Sequence, residues 1–150
     1  MDLVKASFED CDFLNSIIFN EFSYTSPSVK KIKLRLSIPS LYIFKVVEDN
    51  EDVGFFELES VSSNIIRLNG LAVLPNFRNR GIGSFLLNSA IEFAKLNNFS
   101  EMVLLVKKDN LSAKNLYLKF GFVFSGLHSA LIDDCVVEKY SLSLTGVRGI

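Results

Sequence analysis

The chain has 150 residues, 49% hydrophobic and 22% charged, with fourteen phenylalanines, no tryptophan and a net charge of −1. A chain of that length buries roughly two thirds of its unfolded surface on folding, and its hydrophobic content excludes intrinsic disorder. The absence of a basic excess argues against nucleic acid as a partner, and no apolar run approaches the length needed for a membrane partner.

In chain order, residues 2–7 read as a first strand, and Glu9-Asp10 lead into a helix with Phe13, Leu14, Ile17 and Ile18 on one face. Ser26-Pro27-Ser28 is a helix-start signal for a second helix that reaches about Leu36 before Pro39 stops it. Its run Lys30-Lys31-Ile32-Lys33-Leu34-Arg35 reads as a solvated face over a small apolar stripe, the sharper alternative being a roof that attracts an acidic substrate. Phe22 and Tyr24, just before it, suit either core packing or the wall of the same pocket. Strands follow at 41–48, 53–60 and 65–73, joined by polar turns at Glu48–Asp52 and Ser62–Asn64, giving three sequential antiparallel strands. Cys11 and Cys135 lie in no metal-ligand or redox spacing, so no metal is expected and a reduced, cytoplasmic setting is the simplest reading. The N-terminus carries no charged-then-apolar signal pattern. Without a repeat or linker, residues 1–150 read as one domain.

Most of the chemistry sits in residues 72–87. An apolar strand runs into Pro75, then a basic turn with Arg78 and Arg80, then Gly81-Ile82-Gly83-Ser84 at the mouth of an amphipathic helix. Such a helix start exposes unpaired N–H groups at the positive end of the helix dipole and suits a phosphate. Gly81 and Gly83 carry no Cβ, so a bulky ligand can approach the main chain closely. A dinucleotide fingerprint would place a third glycine where Leu86 stands, and a P-loop would need a lysine between Gly83 and Ser84.

Beyond that turn, Leu86, Ala90, Phe93 and Ala94 recur at helical spacing to about Asn97-Asn98. Met102–Val106 is a continuous apolar run, the pattern of a strand covered on both faces and paired in parallel. A helix over roughly 111–120 follows, with Asn110 at its N-cap and Gly121 as its left-handed stop. Ala113, Leu116, Tyr117 and Phe120 share its inward face, where a tyrosine hydroxyl needs a partner. Residues 122–131 and 135–144 close the chain as a hairpin around Asp133-Asp134, and the exposed last strand offers an edge for a homodimer.

Arg-x-x-Gly-x-Gly at Arg78, Gly81 and Gly83, after a strand ending Leu71-Ala72-Val73-x-Pro75, resembles the acetyl-CoA signature of the GNAT superfamily of N-acetyltransferases. Asn-x-x-Ala-x-x-x-Tyr-x-x-x-Gly-Phe from Asn110 resembles a second pattern of that family, and the likeness covers roughly residues 40–145. It implies an α+β (three-layer α/β) fold of order β-α-α-β-β-β-α-β-α-β-β. A mixed, mostly antiparallel sheet of six to seven strands would then carry about four helices on both faces. The strands flanking the signature helix would start adjacent and splay apart, and the pantetheine arm of acetyl-CoA would pair with Leu71, Ala72 and Val73. The amides of Asn79 to Ser84, Ile82 included, with Arg78 and Arg80, would hold the pyrophosphate, and a main-chain N–H near Leu71 would polarise the thioester. An amine of a small molecule, peptide or protein terminus would attack directly, with Tyr117 as general acid and Asn110 reaching the donor.

The base is less visible. Where some family members carry a glutamate, this chain has Arg67 or Asn69 and Leu105. Glu57 and Glu59 share one sheet face and are the substitutes, with the alternative of two solvent-facing residues; His128, on the penultimate strand, ranks lower. An acetyltransferase, a non-catalytic acyl-CoA-binding module and an interaction domain with an empty cleft therefore all stay open.

Overall fold

Three layers enclose two cores in this computed structural model, whose described residues are 1–145. The middle layer is a seven-stranded sheet of β1 (Asp2–Lys5), β2 (Leu41–Glu48), β3 (Glu51–Ser60), β4 (Ile65–Val73), β5 (Glu101–Lys107), β6 (Val123–Leu127) and β7 (Val137–Ser143). Their spatial order is β1-β2-β3-β4-β5-β7-β6, antiparallel throughout except between β4 and β5. Four α-helices cover it: α1 (Cys11–Glu21), α2 (Val29–Leu36), α3 (Ile82–Leu96) and α4 (Leu111–Lys119).

Alternation along β3 builds both cores, because successive strand residues face opposite sides. Phe56 joins Leu86, Leu87, Ala90 and Tyr117 beneath α3 and α4, while Phe55 joins Leu14, Ile17 and Ile32 beneath α1 and α2. Leu86 is fully buried, so Leu86→Ala carries a cost of about 2–5 kcal/mol. The β2–β3 hairpin turns on Asp49 and Asn50, whose φ of 52° and 65° match the two left-handed residues that a twisted hairpin prefers.

Two irregularities shape the site. β4 and β5 pair only from Ile65–Glu101 to Leu68–Leu104; beyond that β4 continues against β3 and β5 against β7, and the two strands part. On the other side of β4, Glu57 lies opposite Gly70 and Leu58 opposite Leu68, which makes Asn69 the extra residue of a β-bulge.

Several sequence expectations shift. β1 ends at Lys5, β3 begins at Glu51, and β7 spans Val137–Ser143. β6 stops at Leu127 instead of running to residue 131: His-Ser-Ala-Leu at 128–131 lacks β-branched residues, and the loop beyond carries Asp133 to an ion pair with Lys107 at 2.6 Å. The turn at Asp133 and Asp134 survives as an isolated bridge between Ile132 and Cys135. The last strand is not at the edge: β7 lies between β5 and β6, with Val137 and Tyr140 buried, so the exposed edge belongs to β6.

Candidate functional site

Where β4 and β5 part, a cleft of about 690 Å³ opens between Leu71, Ala72 and Val73 on one side and Leu105, Val106 and Lys107 on the other. It continues to Arg78, Asn79, Gly81, Gly83 and Ser84, and is flanked by Asn110, Ser112 and Tyr117. Both strands leave main-chain groups unpaired along this gap, an arrangement that accepts an extended ligand as an added strand.

At the far end of the cleft stands the start of α3. Gly81 is its N-cap, left-handed at φ 82°, and no side chain caps the helix. The first amides of a fifteen-residue helix therefore face the cleft without intrahelical acceptors. Gly83 has no conformational need to be glycine, and an added Cβ would lie 3.7 Å from Leu116, an ordinary contact. A helical glycine costs about 1 kcal/mol against alanine, so the protein interior does not account for it. Its bare backbone leaves the helix mouth open to the cleft.

The two arginines diverge. Arg78 donates from Nε to the Val73 carbonyl at 3.0 Å and pairs through Nη2 with Glu21 at the end of α1. Arg80 lies outside the cleft lining and stacks its guanidinium 5.0 Å over the Phe77 ring. Ile82 is buried in the core beneath α3, so only its main chain serves the helix mouth.

The Asn110 side chain accepts from the Ala113 amide at 3.2 Å and starts α4, which carries Tyr117 inward. Tyr117 is buried edge-on against Phe122. Burial, and secondarily the nearby Tyr24, push its hydroxyl up to about 12, so it keeps its proton throughout the neutral range.

A second cavity of about 360 Å³ lies on the α1–α2 side and meets the cleft at Phe22, Tyr24, Asn69 and Gly70. Phe22 and Tyr24 are thus pocket walls, with Phe22 also edge-on to Phe55. Glu57 lines this cavity but is 5% exposed, which overturns the solvent-facing alternative for that residue. Arg35 holds it with two bonds, Nε to Oε1 at 3.1 Å and Nη2 to Oε2, and Asn69 donates to Oε2 at 2.7 Å. Lys30, Lys31 and Lys33 are exposed as a solvated face would be, but Arg35, one turn from the buried Ile32, is only part-exposed and reaches in to the sheet. Glu59 lines neither cavity. Hydrogen bonds from Asn69 and then Arg67 lower its pKa, outweighing the opposing effect of burial.

His128 lies beyond the end of β6 and lines neither cavity. Sequence reasoning missed the Arg35–Glu57 pair, Ser112 on the cleft wall, and Lys107, whose ammonium lies 5.3 Å over the Tyr24 ring. The spacing of Arg35 from Ile32 was the available signal for the first; the other two depend on long-range packing. Among the described residues no group of three or more His, Cys, Asp or Glu side chains is placed to hold a metal. No helix there is long and apolar enough to cross a membrane.

Residues 9–122 match the Acetyltransferase (GNAT) family. The chain is 30% identical over 86 residues to streptothricin acetyltransferase A of Bacillus subtilis (strain 168), covering 57% of this chain and 50% of that protein. It is 32% identical over 97 residues to streptothricin acetyltransferase of Streptomyces lavendulae, covering 63% and 51%. The chain thus spans about half the length of these two relatives. In fold it is similar to a chimera of spermidine N-acetyltransferase SpeG from Vibrio cholerae and hSSAT, with a TM-score of 0.83 at 18% identity over 97% of both chains. It is also similar to a GNAT family acetyltransferase from Elizabethkingia anophelis with acetyl-CoA bound, with a TM-score of 0.77 at 18% identity over 95% of this chain and 97% of that one. With its signature residues gathered on one cleft and the family's pattern matched over most of its length, this chain belongs to the GNAT family of acetyltransferases.

Proposed function

We propose that the chain is an acetyl-CoA-dependent N-acetyltransferase acting on a primary amine, and that residues 1–150 form one such domain. The observation that carries this reading is the parted β4–β5 gap running straight into the uncapped, side-chain-free start of α3. Acetyl-CoA supplies an activated acetyl thioester. Leu71, Ala72 and Val73 would bind its extended arm through their main chain, and the amides from Asn79 to Ser84 with Arg78 its diphosphate. Arg80, stacked on Phe77, would contribute only after a rotamer change, and Asn110 acts by holding the start of α4. A main-chain N–H near Leu71 is our candidate to polarise the carbonyl, a contribution worth about 3–4 kcal/mol in comparable sites.

Tyr117 is our general acid for the departing thiolate. Its raised pKa keeps it protonated but makes it a weaker acid, so its main contribution is a hydrogen bond, strengthened by burial, to the developing negative charge. Glu57 is the better placed of the two carboxylate bases, since it lines the cavity that meets the cleft and Glu59 does not. Holding amine and thioester at that junction supplies much of the acceleration.

One observation favours a second reading, a non-catalytic acyl-CoA-binding module: the carboxylate of the adjoining cavity, Glu57, is already paired with Arg35, and that of the cleft, Glu21, with Arg78. An acceptor panel scored by released CoA thiol, beside calorimetry with CoA, separates the two. Heat of binding with no thiol release for any amine favours the module; absence of binding removes both. We further propose a reducing, cytoplasmic setting, consistent with free thiols at Cys11 and Cys135, and self-association through the open edge of β6.

A further inference from the structure

The second cavity has a chemistry of its own, and from it we infer that the acceptor is a compact apolar α-amino acid, whose carboxylate is held by Arg35 and Lys31. The inference rests on the transferase reading above.

The walls are largely apolar, with Phe22, Phe55, Ile18 and Ile32 facing the space. Its volume of about 360 Å³ is near the lower end of ligand sites, which run from roughly 300 to 1,000 Å³, so the occupant is small. The charged residues on the lining are Lys31, Arg35 and Glu57, an excess of one positive charge. Glu57 is the one carboxylate among them and is already held by Arg35 and Asn69. A polycationic acceptor would find no free carboxylate there.

An anionic group would find donors. Guanidinium carries five N–H groups. Arg35 uses Nε and one N–H of Nη2 on Glu57, and its side chain is 43% exposed. Lys31 spends one ammonium hydrogen on the Ser26 carbonyl at 2.7 Å and keeps two.

Register then sets the distance between acid and amine. Glu57 is the direct cross-strand neighbour of Gly70, and Gly70 lies where the cavity opens into the cleft. Asn69, another residue of the junction, shares Glu57 Oε2 with Arg35, so a carboxylate on that guanidinium sits beside the junction and its amine must be close behind. An α-amino acid, with both groups on one carbon, meets that requirement and turns its side chain to the phenylalanines.

The test measures thiol release by the full chain at saturating acetyl-CoA with L-leucine, L-phenylalanine, their carboxamides and spermidine. We expect turnover of both amino acids, a KM at least tenfold higher for the amides, and a kcat/KM at least a hundredfold lower for spermidine. Lys31→Met, which leaves the Arg35–Glu57 pair intact, should raise the KM for leucine several-fold and that for leucinamide less than twofold. Spermidine or leucinamide turned over better than leucine overturns the inference and leaves the transferase reading standing, as does an equal effect of Lys31→Met on both acceptors. No thiol release from any of them, with CoA still bound in calorimetry, sinks the inference and counts against the transferase reading, which the wider acceptor panel then decides.

Discussion

Replacing Tyr117 by phenylalanine removes one oxygen and almost nothing else. The ring keeps its contact with Phe122, and only burial and Tyr24 act on the hydroxyl, so no native hydrogen bond is lost. Folding stability should change by less than about 1 kcal/mol, because no buried partner is orphaned. The transition state should suffer more. A hydrogen bond to a charged group contributes about 1.5–3 kcal/mol, which converts to a fall in kcat of about 10- to 150-fold. Complete proton transfer is a poorer source of rate, since a thiol near 8.5 is a stronger acid than a hydroxyl at about 12. The loss should therefore stay at the hydrogen-bond scale and not reach the upper range of acid catalysis. Steady-state thiol release gives kcat, and calorimetry gives CoA affinity, which should be unchanged. The pH dependence supplies a second arm. Because the folded pKa is raised above the unfolded value near 10, Tyr117 adds nothing adverse below that pH, and stability is lost between about 10 and 12 as the unfolded chain ionises first. The phenylalanine variant should lose that part of its alkaline sensitivity. A kcat within twofold of the wild type, with unchanged CoA binding, would refute the assignment.

Arg78→Ala should weaken CoA binding by about 10- to 150-fold in calorimetry, the scale of a charge-assisted bond, whereas Glu21→Gln should tighten it by freeing Arg78. Lys45 bridges the buried Asp10 at 2.5 Å and Asp52 at 2.9 Å, so Lys45→Met strands a buried charge and should cost about 3–5 kcal/mol in denaturant unfolding. Asp10 is pulled up by burial but held below its usual value by bonds from Lys45 and the Ser7 amide. Its stabilisation is thus present above the unfolded pKa near 4 and lost as pH falls through the folded one; the methionine variant should show a flatter acid limb. Gly81→Ala meets open space but must hold φ 82°, so we expect a loss of about 1–2 kcal/mol in thermal unfolding without a packing defect.

The sequence carried the parts of the fold that depend on local pattern. Alternation and turn chemistry located β2 to β4, the Asp49-Asn50 hairpin and the uncapped start of α3, because each is specified within a few residues. What failed depends on partners far away in the chain. Residues 128–131, His-Ser-Ala-Leu, hold no β-branched residue, and β6 ends at Leu127 before a loop whose Asp133 pairs with Lys107. The order β5-β7-β6 hides the last strand inside the sheet, and no short-range signal encodes that insertion.

The candidate site divides along the same line, and the division explains why the donor was easier to read than the acceptor. The diphosphate recognition we propose uses main-chain amides, so its residues must be small and contiguous, and Gly81 to Ser84 announce themselves. The acceptor site we propose is built from side chains brought together by the β4 bulge, which sets Asn69 against Glu57 while α2 delivers Arg35 from 22 residues away. A shift of one residue in that bulge would turn Asn69 to the opposite face and leave Glu57 to Arg35 alone. On our reading, acceptor choice in this chain rests on register, so its amine could change without altering a single residue of the signature turn.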